Sequence, residues 1–155
     1  MKMSEHSRGF PVRKRRRPAF EHMPVPEGDV TMPDTHPTIL VVDDQTPIRR
    51  ILRSVLETLG YEVLVAEGGR AALRLASAHA GRLDLLLTDV SMPGMDGPEL
   101  ADRLAEVRPD VPVLFISGDR CFQPPTRKTP RILWLLAKPF TPTELGERIR
   151  HALIR

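Results

Sequence analysis

Four short stretches hold groups that could do chemistry together: Asp43-Asp44, Asp89, Ser117 and Lys138. Each stands at the end of an apolar run. Three carboxylates crowded into one place repel one another and call for a cation among them. Oxygen donors suit a hard divalent ion, and Mg2+ takes one or two carboxylates together with phosphate and water. A lysine ammonium adds a fixed positive charge for an incoming phosphoryl group, and a serine hydroxyl can donate to a phosphoryl oxygen. Such a set suits phosphoryl transfer onto an aspartate. Singly, the same residues have plainer roles: an Asp at a strand end shapes a turn or caps a helix, Ser117 before Gly118 makes a turn, and Lys138 is a solvated surface group. Joint occurrence at four strand ends favours the chemistry, because a parallel sheet gathers those ends at one crevice.

The elements that must position these groups follow from periodicity. Thr38-Ile39-Leu40-Val41-Val42, stopped by Asp43-Asp44, reads as a buried strand. Thr46 followed by Pro47 gives an expected N-cap with proline at N1. Ile48, Ile51, Leu52, Val55 and Leu59 fall at helical spacing, and Gly60 closes that helix. Glu62 to Ala66 is a second strand, a helix around Ala71–Ala80 follows Gly68-Gly69, and Leu85–Asp89 is the central strand. After the turn Val90-Ser91-Met92-Pro93-Gly94-Met95-Asp96-Gly97, a third helix carries Leu100, Leu104 and Val107 and must stop before Pro109. Asp96 is expected to shape the turn or cap that helix. Val111–Ser117 and Ile132–Ala137 are the fourth and fifth strands. Thr141-Pro142-Thr143-Glu144 is a capping box that opens a last helix through Leu145, Ile149 and Leu153. Strands alternating with helices predict an α/β fold, a doubly wound five-stranded parallel sheet. Asp119–Pro130 breaks the rhythm: Pro124, Pro125 and Pro130 leave a fourth helix short or broken, with at most one turn near Arg120–Gln123.

Totals narrow the class. The chain of 155 residues supports one domain with a core. The net charge of +3 divides into +2 for residues 1–37 and +1 for residues 38–155, so the folded part is nearly neutral and no nucleic-acid surface is implied. Cys121 is the only cysteine, which excludes an internal disulfide or a cysteine-built metal site. No apolar run reaches the ~18 residues of a membrane span, and no apolar stretch follows the basic N-terminal residues to make a secretory signal. A cytoplasmic location is expected. Residues 1–37 are proline-rich without periodicity and read as a disordered tail. Arg13-Lys14-Arg15-Arg16-Arg17 within it could be an electrostatic arm or a solvated segment, and Met23 or Met32 would serve as an alternative start.

Val41-Val42-Asp43-Asp44, Asp89 through Gly97, Ser117-Gly118 and Lys138-Pro139-Phe140 resemble the receiver domain of two-component response regulators, CheY-like, over residues 38–155. The resemblance implies a flavodoxin-like sheet of order 2-1-3-4-5 and an aspartate phosphorylated by a histidine kinase or histidine phosphotransfer protein. It implies Asp89 as phosphoacceptor and Mg2+ bound by Asp44 with Asp43 assisting, together with Asp89 and the Ser91 backbone carbonyl. Ser117 would be the switch hydroxyl and Lys138 the phosphate-contacting lysine. One departure stands out: the family's aromatic switch position is Leu135 here, and Trp134 beside it faces the other way along a strand. With the proline-broken helix, this falls on the face that receivers use for dimerisation and output, so an intact site with an unusual readout is expected.

The expected protein is a single-domain signalling switch or relay, not an enzyme beyond its own phosphoryl transfer and dephosphorylation. Its downstream partner is unknown, a homodimer is compatible, and no DNA-binding domain is expected, since no DNA-reading element is present. The alternative from another class is a phosphorylation-independent scaffold that uses Arg13–Arg17 on an anionic partner. An aspartate-nucleophile hydrolase is weaker, because Asp43-Asp44-Gln45 lacks the second aspartate two residues after the nucleophile.

Overall fold

The computed structural model describes residues 36–123 and 132–154, with the side chains of residues 132–134 left out. Residues 1–35 of the expected tail, including its basic run, and the proline segment after Gln123 lie outside the described residues. So does the side chain of Trp134. Five strands and four helices are described: β1 (Thr38–Val42), α1 (Thr46–Thr58), β2 (Glu62–Ala66), α2 (Gly69–Ala78), β3 (Leu85–Asp89), α3 (Gly97–Val107), β4 (Val113–Ser117), β5 (Ile132–Ala137) and α4 (Pro142–Leu153). The strands form one parallel sheet of order β2-β1-β3-β4-β5. This is the flavodoxin-like arrangement that the resemblance implies.

Every residue of β1, β3 and β4 is buried, and the period of two along each strand divides their side chains between two cores. Leu40, Val42, Leu86, Val113 and Phe115 meet Ala72 and Ala76 of α2 and Leu100, Ala101 and Leu104 of α3 on one face. Ile39, Val41, Leu85, Leu87, Leu114 and Ile116 meet Leu52 and Leu56 of α1 and Leu145, Ile149 and Ala152 of α4 on the other. A strand buried on both faces needs apolar residues at every position, which explains why these runs show no polar alternation. They end together at the carboxyl edge, where polar residues begin.

Local signals set the helix ends, with one correction. Gln45, not Thr46, is the N-cap of α1. The Asp43 side chain takes the Gln45 amide at 2.8 Å, and the Thr46 hydroxyl accepts from Arg49 Nη2 at 2.9 Å instead of capping. Gly60 follows α1 with φ of +88°, the left-handed conformation that suits glycine after a helix. Asp96 caps α3 by accepting from the Glu99 amide at 2.8 Å. Thr141 and Glu144 form the reciprocal capping box of α4. Strand β4 begins at Val113, not at the expected Val111, so Pro112 sits just before it, where a missing amide costs no ladder bond.

One tertiary tie has no sequence signature. Arg108, just past α3, donates to the carbonyls of Ala76, His79 and Gly81 at the far end of α2. These bonds fix the α2–β3 connection and, with it, the start of β3.

Candidate functional site

The carboxyl edge of the sheet brings together residues 43, 44, 89 and 138 from three strand ends. Each of Asp43, Asp44 and Asp89 offers a carboxylate oxygen, and these atoms lie within 4.8 Å of one another. Strand registry causes this: β1 and β3 are adjacent and in step from Ile39↔Leu85 to Val42↔Thr88. Their next residues are Asp43 and Asp89. Asp43 and Asp89 are buried, whereas Asp44 is exposed. Lys138 reaches across from the end of β5, its Nζ 3.1 Å from Asp89 Oδ2 and 3.9 Å from Asp43 Oδ2.

Each carboxylate has a defined set of partners. Asp43 Oδ1 accepts from the Gln45 amide at 2.8 Å, while Asp43 Oδ2 is buried without a hydrogen bond. Burial raises the Asp43 carboxyl above the usual carboxylate range; the Gln45 amide bond opposes this, Asp89 adds to it and Lys138 opposes it. Asp89 Oδ1 accepts from the Ser91 amide at 3.3 Å, which places the Ser91 peptide beside the carboxylate. A buried oxygen without a hydrogen bond, set among carboxylates, fits a hard cation with oxygen ligands. The cluster is therefore suited to a divalent ion.

Ser117, buried at the end of β4, accepts the Asp119 amide on its Oγ at 2.9 Å. Asp119 in turn accepts from the Cys121 amide on its carboxylate at 2.8 Å and from the Phe122 amide on its carbonyl at 3.4 Å. This is the single turn expected near Arg120–Gln123. It carries Phe122 onto Phe115, edge to face with ring centroids 5.8 Å apart. Leu135, paired with Phe115 in the sheet, is partly buried in the same core.

Sequence reasoning missed Arg49. Its Nη1 donates to the Asp43 carbonyl at 2.6 Å, so the turn bearing Asp43 and Asp44 is held from α1 as well. The spacing of six residues within a helix start could have signalled it only if the turn geometry were known.

Residues 39–150 match the family model described as the response regulator receiver domain. The response regulator receiver protein CpdR of Brucella abortus is 38% identical over 117 residues, covering 75% of this chain and 96% of that protein. The cyclic di-GMP phosphodiesterase response regulator RpfG of Xanthomonas campestris pv. campestris is 38% identical over 119 residues, but the match spans only 31% of that longer protein. Among solved structures, response regulator protein TrrA of Thermotoga maritima, in complex with Mg2+ and BeF, aligns with a TM-score of 0.66 at 30% identity. That alignment covers 76% of this chain and 99% of that one. The chain belongs to the response regulator receiver family of two-component signalling. No described helix is long and apolar enough to cross a membrane.

Proposed function

We propose that this chain is a phosphorylation-controlled switch or relay in which Asp89 accepts a phosphoryl group from a histidine kinase or histidine phosphotransfer protein in a Mg2+-dependent reaction. The observation that carries the reading is the Asp43, Asp44 and Asp89 cluster within 4.8 Å, with the Lys138 ammonium 3.1 Å from Asp89. Asp43, Asp44, Asp89 and the Ser91 carbonyl would hold the cation. When bound, Mg2+ supplies positive charge for the carboxylates and the phosphoryl oxygens.

Asp89 acts as nucleophile: a carboxylate oxygen attacks phosphorus, the phosphorus–nitrogen bond of the donor breaks, and the imidazole leaves with the bonding pair and takes up a proton. An acyl phosphate forms on Asp89. Lys138, already paired with the nucleophile, stays beside the charge that arrives with the phosphoryl group. Ser117 donates its hydroxyl proton to a phosphoryl oxygen while its Oγ still accepts from Asp119, and so joins the phosphorylated site to the turn that carries Phe122. Loss of the phosphoryl group is attack by water on phosphorus, which returns the carboxylate and inorganic phosphate. The chain is no enzyme beyond these two steps on itself. It acts in the cytoplasm through a protein partner.

The test is incubation with acetyl phosphate, with and without Mg2+, on wild type and Asp89→Asn, read by intact mass. A Mg2+-dependent gain of one phosphoryl group that Asp89→Asn abolishes is expected. A folded, Mg2+-bound wild type that stays unmodified both with acetyl phosphate and with phosphorylated histidine donors refutes the reading.

A further inference from the structure

The peptide that follows Asp89 is held from several sides. Val90 donates its amide to the Ile116 carbonyl at 2.9 Å, and the Asp89 carbonyl accepts from the Thr88 hydroxyl at 3.0 Å. Gly97, the first residue of α3, then returns to the same place and donates its amide to the Val90 carbonyl at 2.9 Å. A Cβ on Gly97 would stand 2.3 Å from the Asp89 carbonyl oxygen, 3.1 Å from Val90 Cα and 3.2 Å from the Asp89 carbonyl carbon. All three are backbone atoms in or beside a buried ladder, so no side-chain rotation can relieve the contact.

We infer that Gly97 is a positioning residue for Asp89: the missing side chain lets the first turn of α3 close on the Asp89–Val90 peptide, and this closure fixes where the carboxylate stands relative to Asp43, Asp44 and Lys138. The inference rests on the function proposed above only for its catalytic consequence. Ordinary contacts of a Cβ begin near 3.4 Å, so a methyl group here displaces α3 or the Asp89 peptide by about 1 Å. The Lys138 contact to Asp89 is 3.1 Å long and the carboxylate cluster spans 4.8 Å. A shift of that size disturbs every one of these distances, and misplacing a reacting group by 1 Å can cost about 100-fold in rate.

The test compares wild type, Gly97→Ala and Leu104→Ala in the full chain. Leu104 is buried in α3 away from the carboxylates and supplies a destabilised control. Three quantities are read on folded protein: the rate of phosphorylation by acetyl phosphate, Mg2+ affinity by calorimetry, and amide chemical shifts of residues 89–91. Gly97→Ala is expected to slow phosphorylation at least tenfold, to weaken Mg2+ binding and to shift those amides. Leu104→Ala is expected to keep the wild-type rate and affinity. A Gly97→Ala protein with wild-type rate, affinity and shifts overturns the inference, and so does an equal loss in Leu104→Ala. If wild type itself takes no phosphoryl group, the functional reading fails separately, and Mg2+ affinity with the amide shifts still decides the role of Gly97. If Gly97→Ala does not fold, hydrogen exchange of wild type decides. A Gly97 amide as protected as that of Val90 supports the closure, and one exchanging as fast as the free amides of a helix start overturns it.

Discussion

Replacing Lys138 by Met keeps an apolar stem and removes the only ammonium that pairs with the cluster among the described residues. Its Nζ lies 3.1 Å from Asp89 Oδ2 and 3.9 Å from Asp43 Oδ2. At an effective dielectric constant of ~20 each contact carries a gross attraction of about 4–5 kcal/mol. The Lys138 side chain is 29% exposed, so screening and desolvation reduce the pair to about 1–3 kcal/mol net, between exposed and buried ion pairs. Without divalent ions, Lys138→Met therefore unfolds at a Tm lower by roughly 3–12 °C. Its carboxylates now face one another without a counter-charge, and Mg2+ binds roughly tenfold more tightly, equivalent to about 1.4 kcal/mol. Saturating Mg2+ consequently restores most of the lost stability. Phosphorylation moves the opposite way and slows, because the incoming phosphoryl group meets one cation fewer. Scanning calorimetry in chelator and in Mg2+, with a calorimetric Mg2+ titration, checks each step. A Tm deficit as large in saturating Mg2+ as in chelator, or a Mg2+ affinity that falls, would refute the electrostatic argument.

Three further outcomes follow from other contacts. Arg108→Ala loses the charged donor that serves the Ala76, His79 and Gly81 carbonyls, at a cost of about 1.5–3 kcal/mol; urea unfolding should show a lower midpoint with an unchanged slope. Hydrogen bonds from the Thr141 amide and hydroxyl hold the exposed Glu144 carboxyl below its usual range. A carboxyl depressed in the folded state stabilises above its unfolded pKa, and that contribution is lost as pH falls through the folded value. Wild type should therefore exceed Glu144→Gln in Tm at neutral pH and converge with it in acid, and a gap independent of pH would contradict the capping account. Phe122→Ala removes the edge contact with Phe115, worth about 0.5–1.5 kcal/mol beyond area burial. It should lower Tm and leave the rate of Asp89 phosphorylation unchanged, since Ser117 and Asp119 keep their hydrogen bonds.

The sequence alone carried the architecture and the chemical groups, because both are written in local patterns. Five short apolar runs, each closed by a polar residue, define strands, and their alternation with helices calls for a parallel sheet. Thr141 to Glu144 shows its capping box by spacing, and Asp96 shows its capping role by type and position. The same locality explains the misplaced start of α1: Thr46 looks like an N-cap, and only the folded turn shows Asp43 already holding the Gln45 amide. Tertiary structure decided what depends on distant segments meeting. The step of β1 against β3 puts Asp43 and Asp89 side by side, and the end of β5 sets the ammonium of Lys138 on Asp89, 49 residues away. Arg49 on the Asp43 carbonyl, Arg108 on the end of α2 and Gly97 against the Asp89 peptide have no periodic or spacing signature. Periodicity reports which face of an element is buried; the distances that make a carboxylate reactive are set by how separate elements close on one another.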